Sequence, residues 1–173
     1  MRSHVRILVM SGLLIGIIFF VIWQFRISNG LGGFIHFGDS LIFVAAALLP
    51  LPYSLFVAAI GPGLFNLVEA PMWFPFTIVI KPLMALCFTT KGDRILGTVR
   101  NRIAPFIAMG INTALYFFAN MILFDNWGSG VAALPGLLIQ GVGSVIFFFI
   151  IATALDLAKV KKMLPLHQNT SPN

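Results

Sequence analysis

Across 173 residues the chain sets eleven Lys and Arg against five Asp and Glu, a net charge of +6, yet 59% of it is hydrophobic and only 9% charged. Soluble domains carry roughly 25% charged residues, so this composition, with a mean hydropathy of +0.99, indicates an integral membrane protein with room for one helical bundle and no separate soluble domain. Nine of the eleven cations fall into three clusters beside apolar segments, as membrane topology requires, and no basic face with interleaved aromatics points to nucleic acid.

Taken in chain order, the first apolar segment covers about 5–23, long enough to span. Its basic start resembles a signal peptide, but the run is long and lacks a small-residue cleavage site, so a retained helix is expected. A Gly-rich loop follows at 26–37, with turn signals at Asn29-Gly30 and Gly32-Gly33. The second segment, 39–49, opens on Asp39 or Ser40 as N-cap. Pro50-Leu51-Pro52 then breaks the chain, and a third segment at 53–68 is expected to be interrupted at Gly61-Pro62-Gly63. The fourth helix is predicted at 73–89, a polar stretch at 90–102, the fifth helix at 103–124, a Gly-rich turn at 125–131 and the sixth helix at 134–158.

The pattern predicts an all-α membrane protein: a six-transmembrane-helix bundle with both termini cytoplasmic. It forms a single domain over 1–163, and a polar cytoplasmic tail follows over 164–173. Six crossings bring Arg2 and Arg6, the cluster from Lys91 to Arg102, and Lys159, Lys161 and Lys162 to one side, which the positive-inside rule makes cytoplasmic. Asp39, Glu69 and Asp125 then fall toward the opposite face.

Lys81 is the most informative residue. A cation near the middle of an apolar helix costs roughly 2.5–3.5 kcal/mol on insertion scales, so it is expected to face the protein interior or a wet cavity. Polar and small residues recur at helical spacing around it. The fourth helix presents Trp73, Thr77 and Lys81, the fifth Asn112, Tyr116 and Asn120, and the sixth Gly136, Gln140 and Ser144, while Asn66 adds a group from the third. Packing alone also accounts for small residues and amides within a membrane bundle. The first helix carries Gly12 and Gly16, a spacing that permits close approach either within the bundle or to another subunit. Single Cys87 and the scattered His4, His36 and His167 form no metal-ligand pattern, and no cofactor site is expected.

Three segments together resemble the substrate-binding S components of energy-coupling factor (ECF) transporters: Ile35-His36-Phe37-Gly38-Asp39-Ser40-Leu41-Ile42-Phe43, Gly61-Pro62-Gly63-Leu64-Phe65-Asn66-Leu67, and the stretch from Pro75 to Ala85 containing Thr77 and Lys81. The usual Asp of the second motif is Asn66 here, Phe65 replaces a small residue, and Pro82 follows the lysine. The resemblance implies a solute pocket at the outer side, formed by helices four to six and closed by the loop at 26–37. His36 and Asp39 thereby join the candidate substrate-binding residues. It also implies docking through Gly12 and Gly16 to a membrane scaffold subunit that carries two ATPase subunits. No Gly-x-x-x-x-Gly-Lys-Ser/Thr signature occurs in this chain.

The expected function is capture of a small water-soluble vitamin, with pyridoxine-like compounds and a thiamin-precursor pyrimidine as leading candidates. Lys81 would recognise an anionic or carbonyl group, or pair with Glu69 or Asp39 to hold the loop shut. The competing reading is a structural membrane scaffold with no solute. An intramembrane enzyme would need a nucleophile with a base or a metal cluster, and Ser144 with Lys81 is the pair that could mimic a dyad.

Overall fold

The computed structural model describes residues 2–30 and 33–164. Gly32, and the tail from 165 with His167, lie outside the described residues. Among the described residues there are seven α-helices: α1 (Arg2–Gln24), α2 (Asp39–Leu48), α3 (Leu51–Glu69), α4 (Phe74–Ala85), α5 (Val99–Phe124), α6 (Trp127–Leu157) and the short α7 (Val160–Met163). Among the described residues four helical stretches, His4–Gln24, Leu51–Glu69, Val99–Phe124 and Trp127–Leu157, are long and apolar enough to cross a membrane. This is an all-α, multi-pass membrane protein.

At ten residues α2 is only about 15 Å long, half a hydrocarbon core. Every residue of α2 except Leu41 is buried, so the surrounding protein replaces lipid around it. Its Phe43 stacks at 5.1 Å on Phe88, just beyond α4, and both meet Phe148 of α6 edge-on. The remaining helices pack as α1 on α3, α3 on α4, α4 on α5 and α5 on α6, enclosing α2.

Several boundaries differ from the sequence expectation. The third helix is not interrupted: α3 runs unbroken through Gly61-Pro62-Gly63. The two glycines are there for contact, since a Cβ at Gly61 would meet Ile18 of α1 and one at Gly63 would meet Ile78 and Phe74 of α4. The predicted turn at 125–131 shrinks to Asp125, left-handed at φ 46, and Asn126, because the Asn126 side chain caps α6 by accepting from the Gly128 N–H at 2.8 Å. α4 is shorter than predicted, preceded by one 3-10 turn at Pro71–Trp73. α5 starts earlier, capped by Thr98.

Neither Asp39 nor Ser40 caps α2. Gly38 holds that position without a side-chain bond, the Asp39 carboxylate turns inward, and Ser40 donates to the Phe37 carbonyl. The loop at 26–37 contains a two-residue antiparallel pairing, β1 (Ile27–Ser28) with β2 (Phe34–Ile35), which has too few residues to read from alternation.

At the other end of the bundle, fully buried Asn101 spans the polar stretch, accepting from the Thr89 N–H and donating to the Thr89 and Ile95 carbonyls at 2.8–2.9 Å. Asp156 accepts from the backbone N–H groups of Ile95 and Leu96.

Candidate functional site

Where the loop meets the ends of α3, α5 and the start of α4 and α6, a cavity opens at the end of the bundle away from the basic segments. Seven predicted residues line it: His36, Asn66, Trp73, Lys81, Tyr116, Asn120 and Gln140. The other three stand immediately behind them. Thr77 is hydrogen-bonded to both Asn66 and Tyr116, Asn112 accepts from Lys81, and Asp39 accepts from Lys81 and Gln140. The helical spacing had therefore gathered side chains that are neighbours in space. Asn29, Gly33, Phe34 and Ile35 from the loop and Ala133, Gly136 and Leu137 from α6 complete the wall. The loop residues carried no periodic signal by which sequence reasoning could have placed them.

Lys81 is 1% exposed, inside the bundle at the cavity wall. Its Nζ donates to Asp39 Oδ1 at 2.7 Å, Asp39 Oδ2 at 2.9 Å and Asn112 Oδ1 at 2.9 Å, and it lies 5.1 Å from the centre of the Tyr116 ring. Of the two partners the sequence left open, Asp39 is the one used. Glu69 instead pairs with Arg26 at 3.1 Å. Asp39 is thus an interior residue, correcting its placement near the outer face. The Asp39 pair also removes the need for a negative charge at Asn66, whose amide donates to Thr77 instead.

Gln140 Nε2 donates to Asp39 Oδ2 at 2.9 Å, so one carboxylate ties α2 to both α4 and α6. The bonds from Asn66 to Thr77 and on to Tyr116 join α3, α4 and α5 in the same way.

The wall is aromatic as well as polar. Trp73 is 4% exposed and packs on Tyr116 at 5.9 Å, a cavity position rather than that of an interfacial belt residue. Arg26 lies over Trp23, Phe34 and Phe65 at 4.7–5.7 Å, fixing the start of the loop. His36, edge-on to Phe65 at 6.3 Å, is held neutral: burial, together with the Lys81 cation, outweighs the Asp39 carboxylate and lowers its pKa to about 4. With Lys81 and Asp39 cancelling, the cavity presents no net charge. The Asn120 Oδ1 is buried without a partner, as is Ser144 Oγ deeper along α6. Ser144 makes no bond to Lys81, so no serine–lysine dyad exists.

Gly12 and Gly16 lie on the exposed face of α1, with nothing within 4 Å of a Cβ built on either. They sit in a shallow apolar groove with Val9, Leu13, Ile17 and Phe20, and are not used for packing within the chain.

These features define a helical membrane protein with a charge-balanced, aromatic-walled cavity near one end. The chain belongs to the family described as ECF-type riboflavin transporter, S component, whose family model matches residues 2–157. No curated protein and no solved structure gives a significant match.

Proposed function

We propose that this chain is the solute-binding subunit of an ATP-driven ECF uptake transporter in a prokaryotic plasma membrane, and that the cavity beneath the loop is its solute site. The observation that carries the reading is the convergence of Trp73, Tyr116, Asn66, Asn120 and Gln140 on one buried cavity, in a chain of S-component family. Aromatic faces with a few directed polar groups suit a planar, uncharged heterocycle. The cavity offers about 50 Å³ to the centres of water-sized molecules, enough for a few waters. Solute entry therefore requires the loop from Arg26 to Phe37 to move.

The same reading makes residues 1–163 one membrane domain of six crossings, with both termini cytoplasmic. α2 and α4 complete short crossings with their flanking turns, and the basic segments at 91–102 and 159–162 share the inner face. Gly12 and Gly16 are the docking face for a scaffold subunit carrying two ATPases, which supply the energy this chain has no signature to provide.

The composition of the site alone favours no one vitamin, and pyridoxine-like compounds and a thiamin-precursor pyrimidine fit its chemistry. The family description points instead to riboflavin, which becomes the first solute to test. Purified protein titrated into riboflavin should quench the flavin fluorescence at one-to-one stoichiometry as the ring meets Trp73 and Tyr116, with pyridoxine and the pyrimidine as competitors. Absence of binding by all three would leave the structural-scaffold reading in its place.

A further inference from the structure

We infer that Lys81 is a positioning residue: it acts through Asp39 to hold the end of the loop and the Gln140 amide of the cavity wall, and it orients Asn112 behind that wall. This rests on the cavity being the solute site. An ammonium has three N–H donors and no acceptor. These are directed at 2.7–2.9 Å to the Asp39 carboxylate and to Asn112 Oδ1, so the ammonium's hydrogen bonds run to α2 and α5.

The consequences run outward from the pair. Asp39 is the first residue of α2, three positions after His36, so the ion pair fastens the loop's end to α4. Asp39 Oδ2 also receives Gln140 Nε2, which fixes how the Gln140 amide is turned in the cavity wall. Asn112 gives its oxygen to Lys81 and is left with Nδ2 buried and unpartnered, so the cation sets that amide's orientation too.

Removing one partner of a buried ion pair leaves an uncompensated charge, whereas removing both is often nearly neutral. A residue that touched solute would show no such rescue. Riboflavin is the probe, measured on Lys81→Met, Asp39→Asn and the double variant, in which the amide at position 39 keeps an acceptor for Gln140. Each single substitution should weaken binding by about 100-fold or more, and the double should return to within about tenfold of the starting protein. A double variant no better than Lys81→Met alone overturns the inference. Lys81→Gln replaces Lys81→Met, with the same expectation, where the latter does not fold.

A second arm needs no solute. Ala133, 5% exposed in the cavity wall, is changed to Cys in a Cys87→Ala background and treated with a small maleimide. Both single variants should label about tenfold faster as the loop loosens, and the double should label at the original rate. Unchanged labelling in Lys81→Met overturns the inference. Failure of the starting protein to bind riboflavin would count against the proposed solute, while the labelling arm still decides the role of Lys81.

Discussion

His36 stands where the loop turns into α2, only 7% exposed, with Asp39 and Lys81 as its charged neighbours. Its pKa is lowered from 6.5 to about 4, chiefly by burial. A lowered histidine pKa means that the unfolded or opened chain binds the proton first. The closed arrangement thus keeps its full stability above about pH 6.5 and loses it as pH falls toward 4, by at most about 3 kcal/mol. Thermal melting of the purified protein should therefore decline over that window, and His36→Phe should flatten the decline relative to the unmodified chain. A parallel decline in both would assign it to carboxylates elsewhere. Lys81 was legible in the sequence because a charge amid apolar residues is costly wherever it goes. Its partner was narrowed only to Glu69 or Asp39, because Asp39 lies 42 positions away at a helix start, where an acidic residue ordinarily faces water.

Among the elements, α6 shows how a glycine can set a loop. Gly143 faces the ring of Phe37, the residue preceding Gly38 at the N-terminus of α2, and any Cβ at 143 would strike that ring. Phe37 also packs on Phe147 at 5.2 Å, so α6 provides the seat for the loop's last aromatic residue. Gly143→Val should displace Phe37 and weaken solute binding by about tenfold or more while leaving membrane insertion intact, since overpacking costs 1–3 kcal/mol. Equilibrium binding alongside expression level checks both halves.

The polar stripes on α4, α5 and α6 were readable from spacing, because membrane helices must turn amides inward. Helix ends were less so. The Gly-rich run at 127–131 looks like a turn in isolation but is helical, since Asn126 caps it, Ser129 donates to the Asn120 and Asn126 carbonyls, and Gly130 lets α6 close on Phe117 and Met121. Such support is invisible until the neighbouring helix is in place.

For the molecule as a whole, composition fixed the class and three motifs the family, whereas the interior position of α2 depended on how α1, α3, α4 and α6 pack against it. The face carrying Gly12 and Gly16 gives the test at this level. Gly16→Leu fills the groove on α1 without touching the cavity, so riboflavin binding by the isolated protein should persist. Uptake into cells, and co-purification with the scaffold subunit, should fall at least tenfold, as expected when a bulky side chain blocks close helix approach. Loss of binding in the isolated protein would instead place that face within the solute site.

The loop is tethered at both ends, but by unlike bonds. Arg26 and Glu69 are each about a quarter exposed, whereas Lys81 and Asp39 are each 2% exposed at their side chains. Dissolved ions weaken an attraction that water can reach and scarcely alter one sealed from it. The two moorings therefore answer added salt differently: the Arg26–Glu69 attraction is weakened, while that between Lys81 and Asp39 is scarcely changed.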